Sequence, residues 1–265
     1  MKHVAITGAS SGIGAALVEE YVSQGAAVTL VARRRADMEA LAARVGGRTQ
    51  IFVCDLSDLS RCCDWLAPAA AHFGPIDVLI NNAGVQRVLP AAEHEDSDLD
   101  AMLNLNLLAP LHLTRAVLPA MLQRGSGTIV DVSSTAAYAP TPGMWGYIAS
   151  KAGSGAASEG LGIELAKTGV HVLTVYPGPV DTPLARTGYA AYPDWAQKLL
   201  LTGDPRELAR RICAAVELKQ RVLIYPLPYA LCRFFPGITR WLLRLIAPPV
   251  RSRHALPAST SSSPH

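Results

Sequence analysis

His3-Val4-Ala5-Ile6-Thr7-Gly8-Ala9-Ser10-Ser11-Gly12-Ile13-Gly14 opens the chain with an extended apolar run, three glycines spaced G-x-x-x-G-x-G, and the start of a helix-favouring stretch. A strand that turns this sharply into a helix needs glycine for unusual φ/ψ angles and for close approach of backbone to a ligand. The helix N-terminus that follows presents free N–H groups, which stabilise an anionic phosphate. Gly8, Gly12 and Gly14, with Ser10, Ser11 and Ile13 around them, therefore read as a pyrophosphate cradle.

Outward from this turn the same alternation repeats. Apolar runs at Val28-Val31, Gln50-Val53, Val78-Ile80, Thr128-Val132, Val170-Val175 and Val222-Tyr225 are separated by helical stretches around Ala36-Val45, Leu59-Ala71, Leu99-Gln123 and Gly146-Thr168. Strands that are apolar throughout, rather than alternating, belong to a sheet covered on both faces, which means parallel strands with helical crossovers. The expected fold is a single-domain α/β doubly wound parallel sheet of about seven strands. Gly25, Gly46-Gly47, Gly74-Pro75 and Gly125-Ser126-Gly127 mark its turns, and Pro68 should kink or shorten its helix.

The end of the second strand reads Val31-Ala32-Arg33-Arg34-Arg35. Sites that prefer NAD place a carboxylate here on the ribose 2′-hydroxyl. Arg33 and Arg34 instead suit a 2′-phosphate, which guanidinium groups bind bidentately, so NADP(H) is expected over NAD(H). Read without that context, the same residues are a solvated basic loop.

With these features the chain resembles the short-chain dehydrogenase/reductase family over roughly residues 1–225. Thr7-Gly8-x-x-x-Gly12-Ile13-Gly14 is similar to the family's cofactor motif. Asp55-Leu56 matches its adenine-contacting pair, and Asn81-Asn82-Ala83-Gly84 the turn that packs along the cofactor. Asn106, Ser134, Tyr147 and Lys151 fall at the positions of its catalytic tetrad, Tyr147 and Lys151 also contacting the cofactor. Pro177-Gly178-Pro179-Val180-Asp181-Thr182 resembles the turn that engages the nicotinamide carboxamide, Val180 through backbone and Thr182 through its side chain. The resemblance implies a Rossmann-type sheet in the order 3-2-1-4-5-6-7, an NADP(H)-linked alcohol/carbonyl oxidoreductase, and a homodimer or homotetramer. A ketoacyl-type reductase in a lipid or secondary-metabolite pathway is the alternative. A non-catalytic NADP-binding regulator would be marked by loss of Tyr147 or Lys151, and both are present.

The chemistry has its own logic. Tyr147 and Lys151, four apart in a helical stretch, share one face. A phenol of ordinary pKa near ~10 is a poor base at neutral pH, and a neighbouring ammonium is expected to pull it down toward the useful range. Ser134 follows a buried strand and can hold a substrate oxygen; Ser133 is its rival. Asn106 is an amide in an apolar helix, read either as the steadier of a water that leads protons from Lys151, as the family implies, or as a structural hydrogen-bond former, with Asn104 in competing register.

Substrate selection is expected from Val85-Gln86-Arg87, Ala136-Trp145 and Pro183-Leu201, whose Tyr138, Met144, Trp145, Leu184 and Tyr189 suggest a small hydrophobic carbonyl or alcohol, and the run after Pro183 a lid. Five cysteines form neither a CxxC pair nor a metal spacing, so reduced thiols, no metal site and a cytoplasmic location are expected, with no leader segment. Net charge is +3, yet residues 221–265 hold six arginines and no acidic residue or lysine, leaving −3 for residues 1–220. No nucleic-acid partner is expected for that body. Residues 1–228 thus read as the catalytic domain and 229–251 as an apolar, basic helical extension. Its Ile238, Trp241, Leu242 and Leu245 share a face beside Arg240 and Arg244, open to peripheral membrane contact, the shielding of a lipophilic substrate, a subunit, or the chain's own body. Residues 252–265 read as a disordered tail.

Overall fold

Strand β1 (His3–Thr7) buries all five of its residues because it lies in mid-sheet. It runs parallel to β2 (Ala27–Ala32) on one side and to β4 (Val78–Asn81) on the other. The computed structural model describes residues 1–252; beyond Ser252 the expected disordered tail lies outside the described residues. With β3 (Arg48–Val53), β5 (Gly127–Val132), β6 (Val170–Pro177) and β7 (Val222–Tyr225), the strands form one parallel sheet in the order β3-β2-β1-β4-β5-β6-β7.

Alternate residues of β1 explain the unbroken apolar pattern. Val4 and Ile6 join a core with Leu17 and Tyr21 of α1 (Gly12–Ser23), Met38 of α2 (Arg35–Val45) and Leu208 and Ile212 of α9 (Pro205–Glu217). Ala5 faces the opposite layer, with Leu113, Val117 and Met121 of α5 (Ala109–Gln123). Each large side chain buried this way contributes about 1.5–3 kcal/mol.

Two expected helices differ. Leu59-Ala71 is helical only from α3 (Leu66–Phe73); before it the backbone advances in three-residue turns, with Asp58, Arg61 and Asp64 N–H groups bonded to Asp55, Asp58 and Arg61. Pro68 is the reason the helix is short, because it sits in the first turn, where a missing N–H costs nothing. The Leu99-Gln123 stretch is α4 (Asp96–Leu103), a π-turn (Asn104–Leu108) and α5 in sequence. That run is long and apolar enough to cross a bilayer by length and composition, but its apolar stripe packs on the sheet. The π-turn carries Asn106, and such turns cluster at functional positions. Next come α6 (Trp145–Glu164), α7 (Pro183–Tyr189), α8 (Asp194–Lys198) and, after β7, α10 (Ala230–Phe234) and α11 (Pro236–Ile246).

Candidate active site

The glycine turn after β1 is built by contact as much as by torsion. Gly8 and Gly12 have φ of +65° and +55°, the left-handed region where a side chain is strained. A Cβ on Gly8 would lie 2.8 Å from Ala83 Cα, and one on Gly14 only 2.2 Å from the Gly8 carbonyl oxygen. Gly14 therefore does not face the cavity but lets α1 close on the turn. Thr7 ties the turn to the loop after β4: its hydroxyl donates to Ile80 O (3.1 Å) and accepts from Asn82 N (2.9 Å) and Ala83 N (3.1 Å). The Asn82 side-chain amide returns to Thr7 O at 2.9 Å. Asn82 thus holds the cradle's shape with its side chain. Thr7 carried a signal only as part of the motif.

At the end of β2 the two arginines divide. Arg34 donates to Ser10 Oγ (2.9 Å) and Ser11 Oγ (3.0 Å) and also pairs with Asp37. Arg33 stands 3.9 Å from Asp55. Burial raises the Asp55 carboxyl, but hydrogen bonds from Ser57 and the Arg33 charge outweigh it and the net shift is downward. Two hydroxyls, two guanidiniums and the Asp55-Leu56 step meet at one end of the cavity.

The other end is built on α6. Small residues let this helix sit close: a Cβ on Gly146 would be 2.7 Å from Leu99, and one on Gly155 2.6 Å from the Tyr176 hydroxyl. Tyr147 and Lys151, one turn apart, are both buried. Ser134, two residues past β5, lies beside the Tyr147 phenol and favours its ionised form. Its hydroxyl also makes a long contact to Pro177 O (3.4 Å) and accepts from Ala136 N (3.1 Å). Ser133 instead donates to Lys151 O at 2.7 Å, so between the two serines only Ser134 addresses the phenol.

The expected lowering of Tyr147 is not what the protein shows. Burial pushes the phenol above its ordinary value, the neighbouring Ser134 only partly offsetting this. The Lys151 ammonium is engaged elsewhere, donating to Val132 O at 2.7 Å. Burial brings Lys151 down to about 8, against the favourable field of Asp131 on β5. Asp131 is itself buried, raised by burial and bonded by Asn81 Nδ2 at 2.8 Å. A carboxyl beneath Lys151 carries no signal in the sequence, because only strand register places it there.

Asn106 is fully used. Its Oδ1 accepts from Val85 N (2.8 Å), and its Nδ2 donates to Val85 O (2.8 Å) and Ser150 Oγ (3.0 Å). Ser150 passes the chain on to Tyr147 O at 2.8 Å. The π-turn therefore pins the loop after Gly84 to the helix of Tyr147, the structural half of the expectation. Asn104 is less buried and makes none of these bonds. A Cβ on Gly84 would sit 3.2 Å from Asn106 Oδ1 and 3.6 Å from Lys151 Nζ, so this glycine keeps the two polar groups within reach of one space.

Between the two ends runs one cavity of about 720 Å³. Of the residues singled out in the sequence, Gly8, Ser10, Ser11, Gly12, Ile13, Arg33, Arg34, Asp55, Leu56, Asn82, Ala83, Gly84, Ser134, Tyr147, Lys151, Pro177, Gly178, Val180 and Thr182 line it, while Gly14 and Asn106 do not. Thr182 accepts from Ala185 N (3.2 Å), capping α7, and its methyl abuts Gly12. Val180 bridges Gly203 through its neighbours' amide and carbonyl, which leaves its own N–H and C=O turned away from that bridge.

The apolar wall is partly as expected: Gln86, Met144, Leu184, Tyr189 and Leu199–Leu201 line the cavity. Trp145 is half exposed and meets His94 instead. Tyr138 also turns away, stacking near Tyr176 and hydrogen-bonding Arg233 at 2.6 Å.

Arg233 connects the C-terminal segment to this site. Its guanidinium grips Glu159 of α6 through bonds of 2.5 and 2.7 Å and lies 5.3 Å over both the Tyr138 and Tyr176 rings. Arg233 holds the Glu159 carboxyl below the usual range. Beyond α11, Arg251 bonds Ala190 O, Ala191 O and Asp194. Helices α10 and α11 thus strap the chain's own body at both ends, and Tyr229, Leu242, Leu243 and Ile246 complete the cavity wall. This settles the inner face of the extension on its own body. Arg233→Met is expected to loosen the strap by about 1–3 kcal/mol, the range for charge-assisted bonds. Hydrogen exchange should speed within residues 230–246 and stay unchanged in the sheet; unchanged exchange there would show that Arg233 is no anchor.

The model of the family described as short chain dehydrogenase matches residues 2–192. The chain belongs to this family. As a short chain dehydrogenase it is 33% identical over 225 residues to an uncharacterized oxidoreductase of Staphylococcus saprophyticus, covering 83% of this chain and 93% of that protein. A crystal structure of a short-chain dehydrogenase from Streptomyces avermitilis superimposes with a TM-score of 0.80 at 32% identity, over 92% of this chain and 97% of that one. A short-chain dehydrogenase from Sphingobium yanoikuyae in complex with NADPH gives 0.77 at 29% identity, over 98% and 99%. This short chain dehydrogenase is accordingly an oxidoreductase, and its sheet order is the family's.

Proposed function

We propose that the enzyme interconverts a hydrophobic alcohol and its ketone or aldehyde with NADP(H), residues 1–228 forming the catalytic domain and 229–251 an extension that walls the substrate site. The observation that carries this is one cavity joining the Ser10/Ser11/Arg34 cluster to a buried Tyr147 beside Ser134. The residues fit the cofactor: Gly8 and Gly12 leave backbone exposed where a Cβ would fill the cradle, and the guanidiniums suit a 2′-phosphate. Bound nicotinamide supplies the hydride in reduction and accepts it in oxidation.

The chain's own residues handle the proton. With its pKa above the ordinary value, Tyr147 is a protonated phenol at neutral pH, the form that donates to a developing alkoxide. Ser134 can turn its weakly held hydroxyl from Pro177 O to the same oxygen and stabilise its charge. Lys151, still a cation at neutral pH with its pKa near 8, favours the phenolate left behind, and Asp131 keeps that cation affordable in a buried site. Val180's free backbone and Thr182 would orient the nicotinamide carboxamide, as Tyr147 and Lys151 would its ribose. The groove of about 560 Å³ between α5 and α6, edged by Leu111 and Leu122, is the face we assign to a homodimer or homotetramer.

A panel of carbonyls and alcohols followed at the NADPH absorbance band, and repeated with NADH, tests the reading; no turnover of any apolar member would reject it. For the cofactor, Arg33→Ala/Arg34→Ala is expected to raise the NADPH KM roughly tenfold or more, from the loss of charge-assisted bonds worth about 1.5–3 kcal/mol each before solvent screening. The NADH KM should be unchanged. Equal losses with both cofactors would show that the arginines do not read a 2′-phosphate.

A further inference from the structure

We propose that the outer face of α10 and α11 docks on an anionic lipid bilayer, lying in its interfacial layer. Strapped down by Arg233 and Arg251, this segment still turns a row of large apolar side chains to solvent: Phe234 is 69% exposed, Ile238 57%, Trp241 59% and Leu245 65%. Ile238, Trp241 and Leu245, spaced three and four apart, form one stripe of α11. Thr239 and Leu243 occupy the opposite face and line the cavity. One side of the helix thus faces the cavity, half-buried at Thr239 and Leu243, while the apolar stripe on the other side meets nothing of its own body. An exposed patch this continuous marks a contact surface.

The charges select the partner. Residues 221–265 contain six arginines and no carboxylate side chain. Arg233 is turned inward onto Glu159, whereas Arg240 and Arg244 are exposed one turn apart at the edge of the stripe and form no ion pair among the described residues. A second copy docking on this face about a twofold axis would set guanidinium against guanidinium, since the patch offers no acid to answer them. An anionic headgroup layer answers them directly, and a tryptophan beside arginines is the composition that settles at the headgroup boundary. At 11 residues α11 is too short to span, because about 20 are needed, so it lies in the plane of the interface. The docking does not depend on the proposed reaction and can fail or hold without it.

Flotation of the full chain with phosphatidylcholine vesicles, with and without phosphatidylglycerol, tests the inference. The protein is expected to float with the anionic vesicles only and to be released by high salt. Trp241→Glu/Leu245→Glu should abolish flotation, and Arg240→Gln/Arg244→Gln should weaken binding roughly 10- to 30-fold, at about one factor of five per basic residue near the surface. Thermal melts matching the parent protein show that the variants fold. Failure to float with any vesicle overturns the proposal, as does equal flotation of the Trp241→Glu/Leu245→Glu variant. Flotation with neutral vesicles at equal affinity removes the anionic selectivity on which it stands. Light scattering that shows an oligomer split by Trp241→Glu, without vesicle binding, reassigns the face to a second copy.

Discussion

Tyr147→Phe is expected to cut kcat by on the order of 10² to 10⁴-fold, the range that a positioned general acid or base contributes. NADPH should still bind. The substitution removes one hydroxyl and keeps the ring that packs with Val88, Met102, Met144 and Tyr192, so the surrounding cluster stays filled. What is lost is the buried phenol that stands beside Ser134 on the cavity wall. Among the other cavity tyrosines, Tyr192 gives its hydroxyl to Pro142 O at 2.6 Å, and neither the Tyr189 nor the Tyr229 phenol has Ser134 or Lys151 acting on it. None of the three is placed to take over. Stopped-flow or steady-state assays, paired with NADPH titration by fluorescence, check the prediction. A purified variant within tenfold of the parent's kcat would remove Tyr147 from the proton's path. Loss of NADPH binding would assign it to holding cofactor alone.

The fold was legible where one residue type has one use. An apolar strand, a glycine turn and a helix can be read in order, and repeating that unit gives a parallel sheet whose observed order follows. Eighteen of the nineteen expected cofactor residues and three of the four tetrad positions line the same cavity, because most of them carry local signatures. The errors concern relations that no local pattern encodes. Lys151 and Tyr147 share a helical face as their spacing requires, yet the ammonium reaches across to Val132 of β5 and the burial of the phenol outweighs any charge nearby. Arg33 and Arg34 are neighbours in the chain, but only Arg34 swings onto the serines of the first turn. Tyr138 looked like pocket lining and instead clasps Arg233, 95 residues away. The C-terminal segment could be read as apolar and basic, with shielding of a lipophilic substrate among the roles open to it, but how it reaches the site could not be read, because that depends on where its two arginine anchors land.

The glycine turn gives the second large effect. Gly14→Ala is expected to weaken NADPH binding roughly 10- to 100-fold and to destabilise the protein by about 1–3 kcal/mol, the cost of forcing a methyl group into packed space. The added Cβ would sit 2.2 Å from Gly8 O and 2.7 Å from Asn82 Nδ2. Both atoms belong to the structure that shapes the cradle, so relief comes only by moving α1 outward or by breaking the Asn82–Thr7 bond. Either change displaces the N–H groups that the proposed cofactor site offers to the phosphates. Gly162→Ala is the matched control: it lies in α6 outside the groove assigned to a partner subunit, and an added Cβ would meet Val172 at 3.5 Å, an ordinary van der Waals contact. There the same methyl group should stabilise by about 0.5–1 kcal/mol through the lost flexibility of the unfolded chain. Thermal melts read the two signs, and NADPH titration reads the cradle. Wild-type NADPH affinity in Gly14→Ala would mean that the turn closes the fold without holding the cofactor; a loss confined to Gly14 ties the phosphate site to the one contact that no side chain can share.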